Sequence, residues 1–199
     1  MTTETRKYEK KRRAELEAET RRRITESAVE LHGTVGPSRT SISAVAERAG
    51  VRRSTVYRHF PDEAALFAAC STHWEQENPL PDLERWALIE DPDERLGSAL
   101  GELYAFYSRT ERMMENLLRD EDTMPTVKRL FSGYHEYLAA ARDILVRGRP
   151  ERGRRRDEAR AAIGHALAFG TWQSLARDQG LADAQAADLM CRLAACTGP

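Results

Sequence analysis

The chain has 199 residues, of which 41% are hydrophobic and 32% are charged, so it can form a sizeable core and is not a globally disordered chain. No apolar run approaches the roughly 20 residues that cross a bilayer, and the charged N-terminal stretch lacks the apolar segment of a secretory signal. The three cysteines, Cys70, Cys191 and Cys196, are too few and odd in number for a disulfide framework. We therefore expect a cytoplasmic protein that makes no contact with a membrane.

Charge is distributed unevenly along the chain. Up to Phe60 there are 14 basic and 8 acidic residues, a net charge of +6, whereas the remainder has 17 basic and 24 acidic residues, a net charge of −7. The net charge of −1 conceals this difference. A basic N-terminal part followed by an acidic remainder indicates a polyanionic partner at one end of the molecule, or else a charged helix exposed to solvent. Charge alone leaves both interpretations open.

Apolar residues at helical spacing predict an all-α fold of about nine helices without strands. Residues 1–15 are polar and predict a flexible basic arm. The next helices are expected from about Glu17 to His32, after a cap at Ser41, from about Arg53 to His59, and from a cap at Asp62 to about Glu75. Residues 16–76 are the predicted N-terminal domain, built on the first three of these helices.

The second half of the chain predicts a further helical domain. Prolines mark residues 77–92 as a linker, and Asp91, followed by Pro92 and Glu94, is a strong helix start. In the domain of residues 93–199, helices are expected after Asp91, from about Glu111 to Asp120, along Val127 to Leu145, from about Glu158 to Asp178, and from Asp183 to Ala195. The stretch from Arg147 to Asp157, rich in Gly, Arg and Pro, predicts a solvated loop.

The residues from Ser41 to Phe60 have the pattern of a helix-turn-helix. Gly50 permits a left-handed turn at the end of one helix, Val51 fills the gap between the two helices, and Val56 and Phe60 face inward on the second helix. The polar side chains of this second helix then face outward, as a recognition helix requires. An αα-hairpin with an incidentally polar face has the same pattern and remains an alternative at this point.

The segment from Arg21 to Cys70 closely resembles the DNA-binding domain of the TetR family of transcriptional regulators. The residues that carry the resemblance are Ala28, Leu31, Ser41-Ile42, Ala46, Ala49-Gly50-Val51, Thr55, Tyr57, Phe60-Pro61 and Leu66. The resemblance covers about a quarter of the chain and implies that the rest is a helical domain that binds a ligand and forms a dimer. It implies DNA contacts for Ser41, Arg52, Arg53, Ser54, Thr55, Tyr57 and His59.

Three positions depart from the pattern of the family. Arg52 replaces a frequent capping serine, Ala44 replaces an acidic residue of a capping box, and Glu63 replaces a phosphate-binding lysine. The last change removes one expected phosphate contact, for which the arginines of the recognition helix can compensate. The cations of the basic arm either follow phosphates or the minor groove, or belong to a solvated tail. They are Arg6, Lys7, Lys10 to Arg13, and Arg21 to Arg23.

Enzyme signatures are missing from the sequence. It contains no Gly-rich phosphate loop, GxSxG, HExxH or CxxC motif. Cys70 and His73 lie three residues apart without further ligands, which favours an ordinary core pair over a metal site. We expect no enzymatic activity, no metal and no cofactor.

Aromatic and sulfur side chains in the second domain have the composition of a pocket for a small molecule. The residues assigned to the ligand are Phe106, Tyr107, Met114, Tyr134, His135 and Trp172. Helical periodicity by itself favours an ordinary core for such residues, whereas the family resemblance favours a cavity. The cavity is expected to hold a small apolar or aromatic ligand.

The stretch from Ala159 to Ala176 is apolar nearly all round, which indicates burial on every side. One side is expected to face the core and the other a second copy of the chain, with a purely intramolecular core as the alternative. The residues assigned to the dimer interface are Ile163, Ala166, Leu167, Gly170, Met190 and Leu193.

These features together predict a ligand-responsive transcriptional regulator, a repressor that a small molecule releases from its operator. A homodimer with two-fold symmetry presents two recognition helices to a palindromic operator in double-stranded DNA. The alternative is a constitutive architectural DNA-binding protein that responds to no ligand and has a packed second domain.

Overall fold

The computed structural model describes residues 3–195, with side chains from Lys7 onward, so that Cys196 lies outside the described residues. The α-helices are α1 (Thr3–Thr34), α2 (Ile42–Arg48), α3 (Arg53–His59), α4 (Glu63–Glu77), α5 (Leu83–Ala87), α6 (Pro92–Glu121), α7 (Pro125–Val146), α8 (Arg154–Leu167), α9 (Phe169–Gln173) and α10 (Asp183–Ala195). Residues 3–195 contain no strand, which confirms the predicted all-α class. None of these helices is long and apolar enough to cross a bilayer.

The chain forms two compact units whose boundaries do not follow its linear order. The first unit comprises the described residues up to Glu77 together with Glu115–Leu130. The second comprises Asn78–Met114 and the described residues from Phe131 onward. Helices α6 and α7 each contribute residues to both units, whereas the predicted division at a proline-rich linker assigned both helices to the second domain alone.

Helix α1 begins at Thr3, whereas the sequence predicted a flexible arm followed by a helix from Glu17. The stretch is rich in Lys, Arg, Glu and Ala, which favour helix. Ion pairs one turn apart join Lys11 to Glu15 and Arg13 to Glu17. Because these turns are exposed and have no apolar face, hydrophobic periodicity gives no sign of them. The first two residues and the first six side chains lie outside what the structure describes.

The first unit has a hydrophobic core to which α1, α2, α3 and α4 all contribute. Its buried members are Ile24, Ala28, Ile42, Val45, Ala46, Ala49, Val56, Phe60, Leu66 and Cys70. Full burial of one large apolar side chain contributes about 1.5–3 kcal/mol. The shared core therefore holds α2 and α3 in fixed positions against the long helix α1.

The segment predicted as a linker, residues 77–92, contains the short helix α5. The Asp82 carboxylate caps it by accepting a hydrogen bond from the N–H of Glu84 at 2.8 Å. Trp86 is fully buried, and its indole N–H donates to the carboxylate of Glu102 at 3.1 Å. The prolines therefore bound a folded segment.

Helix α6 is one continuous helix, whereas the sequence predicted two with a second start near Glu111. The Asp91 cap is confirmed, because its carboxylate accepts hydrogen bonds from the N–H groups of Asp93 and Glu94, both at 2.8 Å. The buried face of the helix is apolar along most of its length and includes Leu96, Leu100, Leu103, Tyr104, Phe106, Tyr107, Met113 and Met114.

Helix α8 ends at Leu167, although a single helix was predicted from Glu158 to Asp178. Ala168 has extended backbone angles (φ −70°, ψ 136°), and α9 begins directly after it and continues into a π-helical turn, Ser174–Asp178. The break interrupts the i→i−4 hydrogen bonds and leaves carbonyl groups in need of donors. The hydroxyl of Tyr104 donates to the carbonyl of Ala166 at 2.9 Å, and the hydroxyl of Tyr107 to that of Leu167 at 2.7 Å.

The loop between α7 and α8 was predicted to be solvated, and for two of its residues this is wrong. Arg149 and Glu151 are both buried. The guanidinium of Arg149 donates to the carbonyl of Pro92 at 3.1 Å and pairs with Asp93 at 2.9 Å. These bonds at the start of α6 replace the water that an arginine in a loop would otherwise bind.

Candidate nucleic-acid interface

The turn between α2 and α3 has the geometry that the sequence predicts. Ser41 caps α2 by accepting a hydrogen bond from the N–H of Ala44 at 3.1 Å. Gly50 adopts a left-handed conformation (φ 64°), and the next N–H, that of Val51, donates to the carbonyl of Ala46 at 2.9 Å. Val51 packs against the core of the first unit. The two helices are thus fixed as a helix-turn-helix.

Helix α3 has an apolar face and a polar face. Val56 and Phe60 are buried in the core of the first unit, as predicted. Of the residues assigned to DNA, Arg52, Arg53, Ser54 and Tyr57 are exposed, Thr55 and His59 are half-buried, and Ser41 is exposed at the start of α2. Arg58 is exposed on α3 as well. The outward face therefore offers three guanidinium groups, a serine hydroxyl and a phenol, which are donors for phosphates and base edges.

Arg53 and Tyr57 form a pair on this outward face. The Arg53 guanidinium donates to the Tyr57 hydroxyl at 3.2 Å and lies 5.5 Å from the centre of its ring. The hydrogen bond to Tyr57 raises the pKa of Arg53, in the direction that favours its cationic form. The pair presents one positive charge and one hydroxyl group together, one turn apart on the helix.

The C-terminal end of α3 is held by Arg21, a role that the sequence did not reveal. The Arg21 guanidinium donates to the carbonyl of His59 at 2.6 Å and lies 4.0 Å from the centre of the Phe60 ring. Partial burial, followed by the charges of Arg58 and Arg21, lowers the pKa of His59. The His59 Nε2 atom is buried and receives no hydrogen bond from the described residues, so it faces the protein rather than a groove.

Three of the other predicted basic-arm residues, Lys11, Arg13 and Arg22, are paired within α1. The Arg22 guanidinium binds the carboxylates of Glu19 at 2.8 Å and Glu26 at 2.5 Å. Glu63, where a phosphate-binding lysine is frequent, is exposed at the start of α4. The exposed cations of α3 are therefore the stronger candidates for contacts with nucleic acid.

The end of α6 is bonded to the connection between α1 and α2, within the first unit. The Asn116 amide donates to the carbonyl of His32 at 2.9 Å, and the N–H of Ser38 donates to the carboxylate of Asp120 at 2.9 Å. Arg119 donates to the carbonyl of Val35 at 3.2 Å. Local sequence patterns give no sign of these contacts, because they join segments more than 80 residues apart.

Five of the six side chains assigned to a ligand lie buried in the second unit, namely Phe106, Tyr107, Met114, Tyr134 and Trp172, whereas His135 is exposed. The Tyr107 ring lies 5.9 Å from both Phe106 and Trp172. Its hydroxyl lies 2.7 Å from that of Tyr134. Burial raises the pKa of Tyr134 to about 12 and the pKa of Tyr107 well above its ordinary value, so both phenols stay neutral. We call these five residues the aromatic cluster.

The residues assigned to a dimer interface divide into two groups. Ile163, Ala166, Leu167 and Met190 are buried within the chain itself, because α8 and α10 pack against each other. Gly170 and Leu193 are exposed. Most of the residues assigned to the interface therefore pack inside the chain's own core. A purely intramolecular core is the alternative that the sequence left open.

Cys70 and His73 lie in different surroundings. The Cys70 thiol is buried and donates to the carbonyl of Thr25 at 3.7 Å, and burial raises its pKa to about 12. His73 lies 3.5 Å from the carboxylate of Glu77. Among the described residues, no three His, Cys, Asp or Glu side chains are grouped as metal ligands.

Comparisons with known proteins agree with this geometry. Residues 24–70 match the family model described as bacterial regulatory proteins, tetR family. The fold is similar to a TetR-like transcriptional regulator from Rhodococcus sp. RHA1, with 20% identity and a TM-score of 0.65 over 88% of this chain and 93% of that chain. A TetR-family regulator from Bordetella parapertussis 12822 is 23% identical, with a TM-score of 0.61 over 87% of this chain and 93% of that chain. A tetR-family regulator from Streptomyces coelicolor is 20% identical, with a TM-score of 0.59 over 89% of this chain and 81% of that chain. No curated protein matches the chain significantly.

A helix-turn-helix whose second helix presents cations and hydroxyl groups, in an all-α chain, defines a DNA-binding transcriptional regulator. The predicted resemblance is confirmed by the match over residues 24–70, which are similar to the N-terminal domain of the tetR family. The remainder of the chain has a TetR-like fold.

Proposed function

We propose that this chain is a ligand-responsive repressor, acting in the cytoplasm as a homodimer on a palindromic operator. The observation that carries the proposal is the division of α3 into a buried face, Val56 and Phe60, and an exposed face with Arg52, Arg53 and Tyr57. Recognition helices of this kind read the major groove, and two of them in a two-fold dimer match half-sites about one helical turn apart. No catalytic step is part of the proposal.

Helix α6 supplies a route from ligand to DNA. It carries Phe106, Tyr107 and Met114 of the aromatic cluster, and further along it carries Asn116 and Asp120, which bind the connection ahead of α2. A ligand that displaces α6 at the aromatic cluster acts on these two hydrogen bonds. The coupling needed for release from the operator is about 1–3 kcal/mol, equivalent to about 5–150-fold in affinity.

The chemistry of the aromatic cluster favours a small apolar or aromatic ligand with one polar group. Tyr107 donates its proton to the carbonyl of Leu167, so the hydrogen bond between the two phenols uses the proton of Tyr134. A ligand with an acceptor oxygen can replace Tyr107 as the partner of Tyr134. Its apolar part would then occupy space between the rings after they move apart.

A constitutive architectural protein is the second candidate, and one observation favours it. The rings of Tyr107, Phe169 and Trp172 contact one another at 5.3 to 5.9 Å between centres, as in a packed core. In that case the aromatic cluster stabilises the second unit and no compound alters DNA binding.

Fluorescence anisotropy on DNA that flanks the protein's own gene separates the two candidates. A repressor of the proposed kind binds one palindromic segment at least about a thousandfold more tightly than random DNA. A panel of apolar and aromatic metabolites should contain a compound that weakens this binding, and the matched variant Tyr134→Phe should respond less to it. Specific binding that no compound changes supports the constitutive candidate, and equal affinity for all DNA contradicts the repressor proposal.

A further inference from the structure

The loop between α7 and α8 forms a cleft apart from the residues assigned to DNA, to the aromatic cluster and to dimerisation. It has a volume of about 300 Å³, and its polar lining consists of Arg147, Arg149, Arg152, Arg156 and Glu151. Sites for small molecules have volumes of roughly 300–1,000 Å³. We call this site the arginine cleft, and its size fits a small metabolite.

Arg149 is a fixed part of the arginine cleft. It is only 8% exposed, and one of its terminal nitrogens is held by the carbonyl of Pro92 and the carboxylate of Asp93. Its Nε atom is buried and has no acceptor among the described residues. A buried guanidinium with an unused N–H group calls for an acceptor, and the cleft that Arg149 lines is where a ligand would provide it.

The loop itself is closed by Arg152. One terminal nitrogen of Arg152 donates to the carbonyls of Arg149, Pro150 and Glu151 at 2.9 to 3.0 Å. This arrangement fixes the backbone that carries both Arg149 and Glu151. The cleft is therefore preformed, and a ligand would not have to bear the cost of ordering it.

Positive charge dominates the arginine cleft. Four arginines and one glutamate line it, and a fifth guanidinium, that of Arg95, lies near Gly148 at its edge. Burial, followed by the charges of Arg149 and Arg147, lowers the pKa of Arg95. Asp91 and Asp93, at the start of α6, lie close to Arg149 but are not part of the cleft lining. The lining of the cleft itself has a net charge of +3, which favours an anion.

Glu151 requires that a ligand of the arginine cleft also supply a hydrogen-bond donor. Its side chain is 8% exposed, and the buried Oε2 atom accepts no hydrogen bond from the described residues. A carboxylate in this position repels a bare anion and needs a donor. A ligand that combines an anionic group with a hydroxyl group satisfies both Arg149 and Glu151.

We propose that the arginine cleft binds a small organic oxyanion, a phosphate or a carboxylate, that also carries a hydroxyl group. The anionic group binds Arg149 and Arg156, since planar guanidinium groups match the oxygens of both anions. The hydroxyl group donates to Glu151. The site goes beyond the proposed regulatory function and does not depend on it, because its ligand differs in chemistry from an apolar one.

Isothermal titration calorimetry of the full-length protein, without DNA, tests this site. The probes are glycerol 3-phosphate, glycerate and sulfate, which separate phosphate from carboxylate and hydroxyl-bearing anions from a bare one. We expect one of the two hydroxyl-bearing probes to bind at least about tenfold more tightly than sulfate, the factor expected for one extra charge-assisted hydrogen bond. No binding of either probe at millimolar concentration, or equal binding of sulfate, would overturn the proposal.

Arginine variants assign the binding to the cleft. Arg156→Ala removes an exposed cleft arginine and should weaken binding about tenfold, whereas Arg155→Ala removes the exposed neighbour outside the cleft lining and should leave it unchanged. Glu151→Gln should strengthen sulfate binding relative to the hydroxyl-bearing probe, because it removes the repelling charge. Circular dichroism confirms that each variant is folded. Equal effects of Arg156→Ala and Arg155→Ala would contradict the assignment.

A nucleic-acid contact is the competing explanation of an arginine-rich surface. In that case Arg156→Ala lowers affinity for DNA in the absence of small anions, as a substitution in the recognition helix does, and this result would overturn the proposal. We expect Arg156→Ala to leave DNA affinity unchanged, because the proposed DNA contacts lie on α2 and α3 in the first unit, whereas Arg156 belongs to the second unit. Binding of the probes is measured directly, so failure of the repressor proposal leaves this test intact.

Discussion

The carboxylate of Asp120 accepts a hydrogen bond from the backbone N–H of Ser38, with 2.9 Å between Oδ2 and N. Asp120 lies near the end of α6, and Ser38 lies in the 3-10 turn before α2, 82 residues away in the chain. Burial raises the pKa of Asp120, but hydrogen bonds from Arg119 and Ser38 outweigh burial and lower it below its ordinary value. The carboxylate is therefore ionised at neutral pH, and the bond is charge-assisted.

We expect Asp120→Ala to lower the free energy of unfolding by about 1–3 kcal/mol, because it leaves the N–H of Ser38 without its acceptor and removes one of the acceptors of Arg119. Urea unfolding followed by circular dichroism measures the change. Asp122→Ala removes an exposed carboxylate two residues away and should have an effect of less than about 0.5 kcal/mol. Equal effects of both substitutions would show that the bond to Ser38 contributes nothing specific.

His32 makes the stability of the protein depend on pH. Burial lowers the pKa of His32 to about 4, although the charge of Asp120 acts in the opposite direction. In the unfolded chain the pKa of histidine is about 6.5. Between these values the unfolded chain binds a proton that the folded chain does not, so the free energy of unfolding falls as pH decreases from about 6.5 to about 4. The loss from this residue approaches about 3 kcal/mol at most.

The substitution His32→Phe tests this prediction, because it keeps the ring contact with Phe67, whose centre lies 5.0 Å away, and removes the titration. The difference in unfolding free energy between wild type and variant should be constant above pH 6.5 and should shift in favour of the variant below it. Titration of the His32 ring by NMR measures the pKa directly. A pKa near the ordinary value of histidine would contradict the expected pH dependence.

The sequence predicted those features that depend on nearby residues. The cap at Ser41, the left-handed turn at Gly50 and the cap at Asp91 all appear at the expected positions, because each depends on a few residues in one turn. The division of α3 into an apolar and a polar face follows from helical spacing alone. These local features determine where the proposed DNA contacts lie. The contacts could therefore be predicted from the sequence without a structure.

Features that depend on distant residues were not predicted. The break at Ala168 is not marked by a proline, and it is stabilised by the hydroxyls of Tyr104 and Tyr107, about 60 residues away. The burial of Arg149 depends on Asp93, 56 residues away. Gly36 has a positive φ of 94°, and a Cβ atom at this position would meet the side chain of Arg119, which is 83 residues away. In each case composition is uninformative, because the partner is a tertiary contact.

Tyr107 and Tyr134 should differ in their contribution to stability. Tyr107→Phe leaves both the carbonyl of Leu167 and the hydroxyl of Tyr134 without a partner, and we expect a loss of about 1–3 kcal/mol. Tyr134→Phe removes one donor to Tyr107 and should cost about 1 kcal/mol. The exposed residue Tyr8 supplies the control Tyr8→Phe. Urea unfolding measures both changes. If Tyr134→Phe lowers the free energy of unfolding more than Tyr107→Phe does, the assignment of donor and acceptor is wrong.

Dimerisation through α10 should depend on Leu193, which is 51% exposed although it is a large apolar residue. Leu193→Glu places a charge where a partner would bury a leucine, and we expect the dimer to dissociate at least about tenfold more readily. Sedimentation at micromolar concentration should give twice the chain mass for wild type and a lower mass for the variant. Leu88→Glu, at a leucine that is 82% exposed in the segment after α5, is the control. A monomeric mass for wild type, or a dimeric mass that Leu193→Glu leaves unchanged, would contradict this interface.

The final prediction concerns Arg53 and Tyr57, the pair on the outward face of α3. If Tyr57 contacts a phosphate, Tyr57→Phe weakens binding to specific and random DNA by the same factor, because it removes the hydroxyl and keeps the ring. Arg53→Ala removes a cation, so a phosphate contact reduces the slope of log affinity against log salt by about 0.9, whereas a base contact costs about 1–3 kcal/mol on specific DNA alone.

Anisotropy titrations with both DNAs at several salt concentrations distinguish these outcomes. Arg112→Ala removes an exposed cation from α6 and serves as the control for a general loss of charge. We expect it to change neither affinity nor salt slope beyond a small uniform effect, because the proposed groove contacts lie on α3 and not on α6. If Arg53→Ala and Tyr57→Phe bind both DNAs as wild type does while circular dichroism shows them folded, then α3 is not the recognition helix.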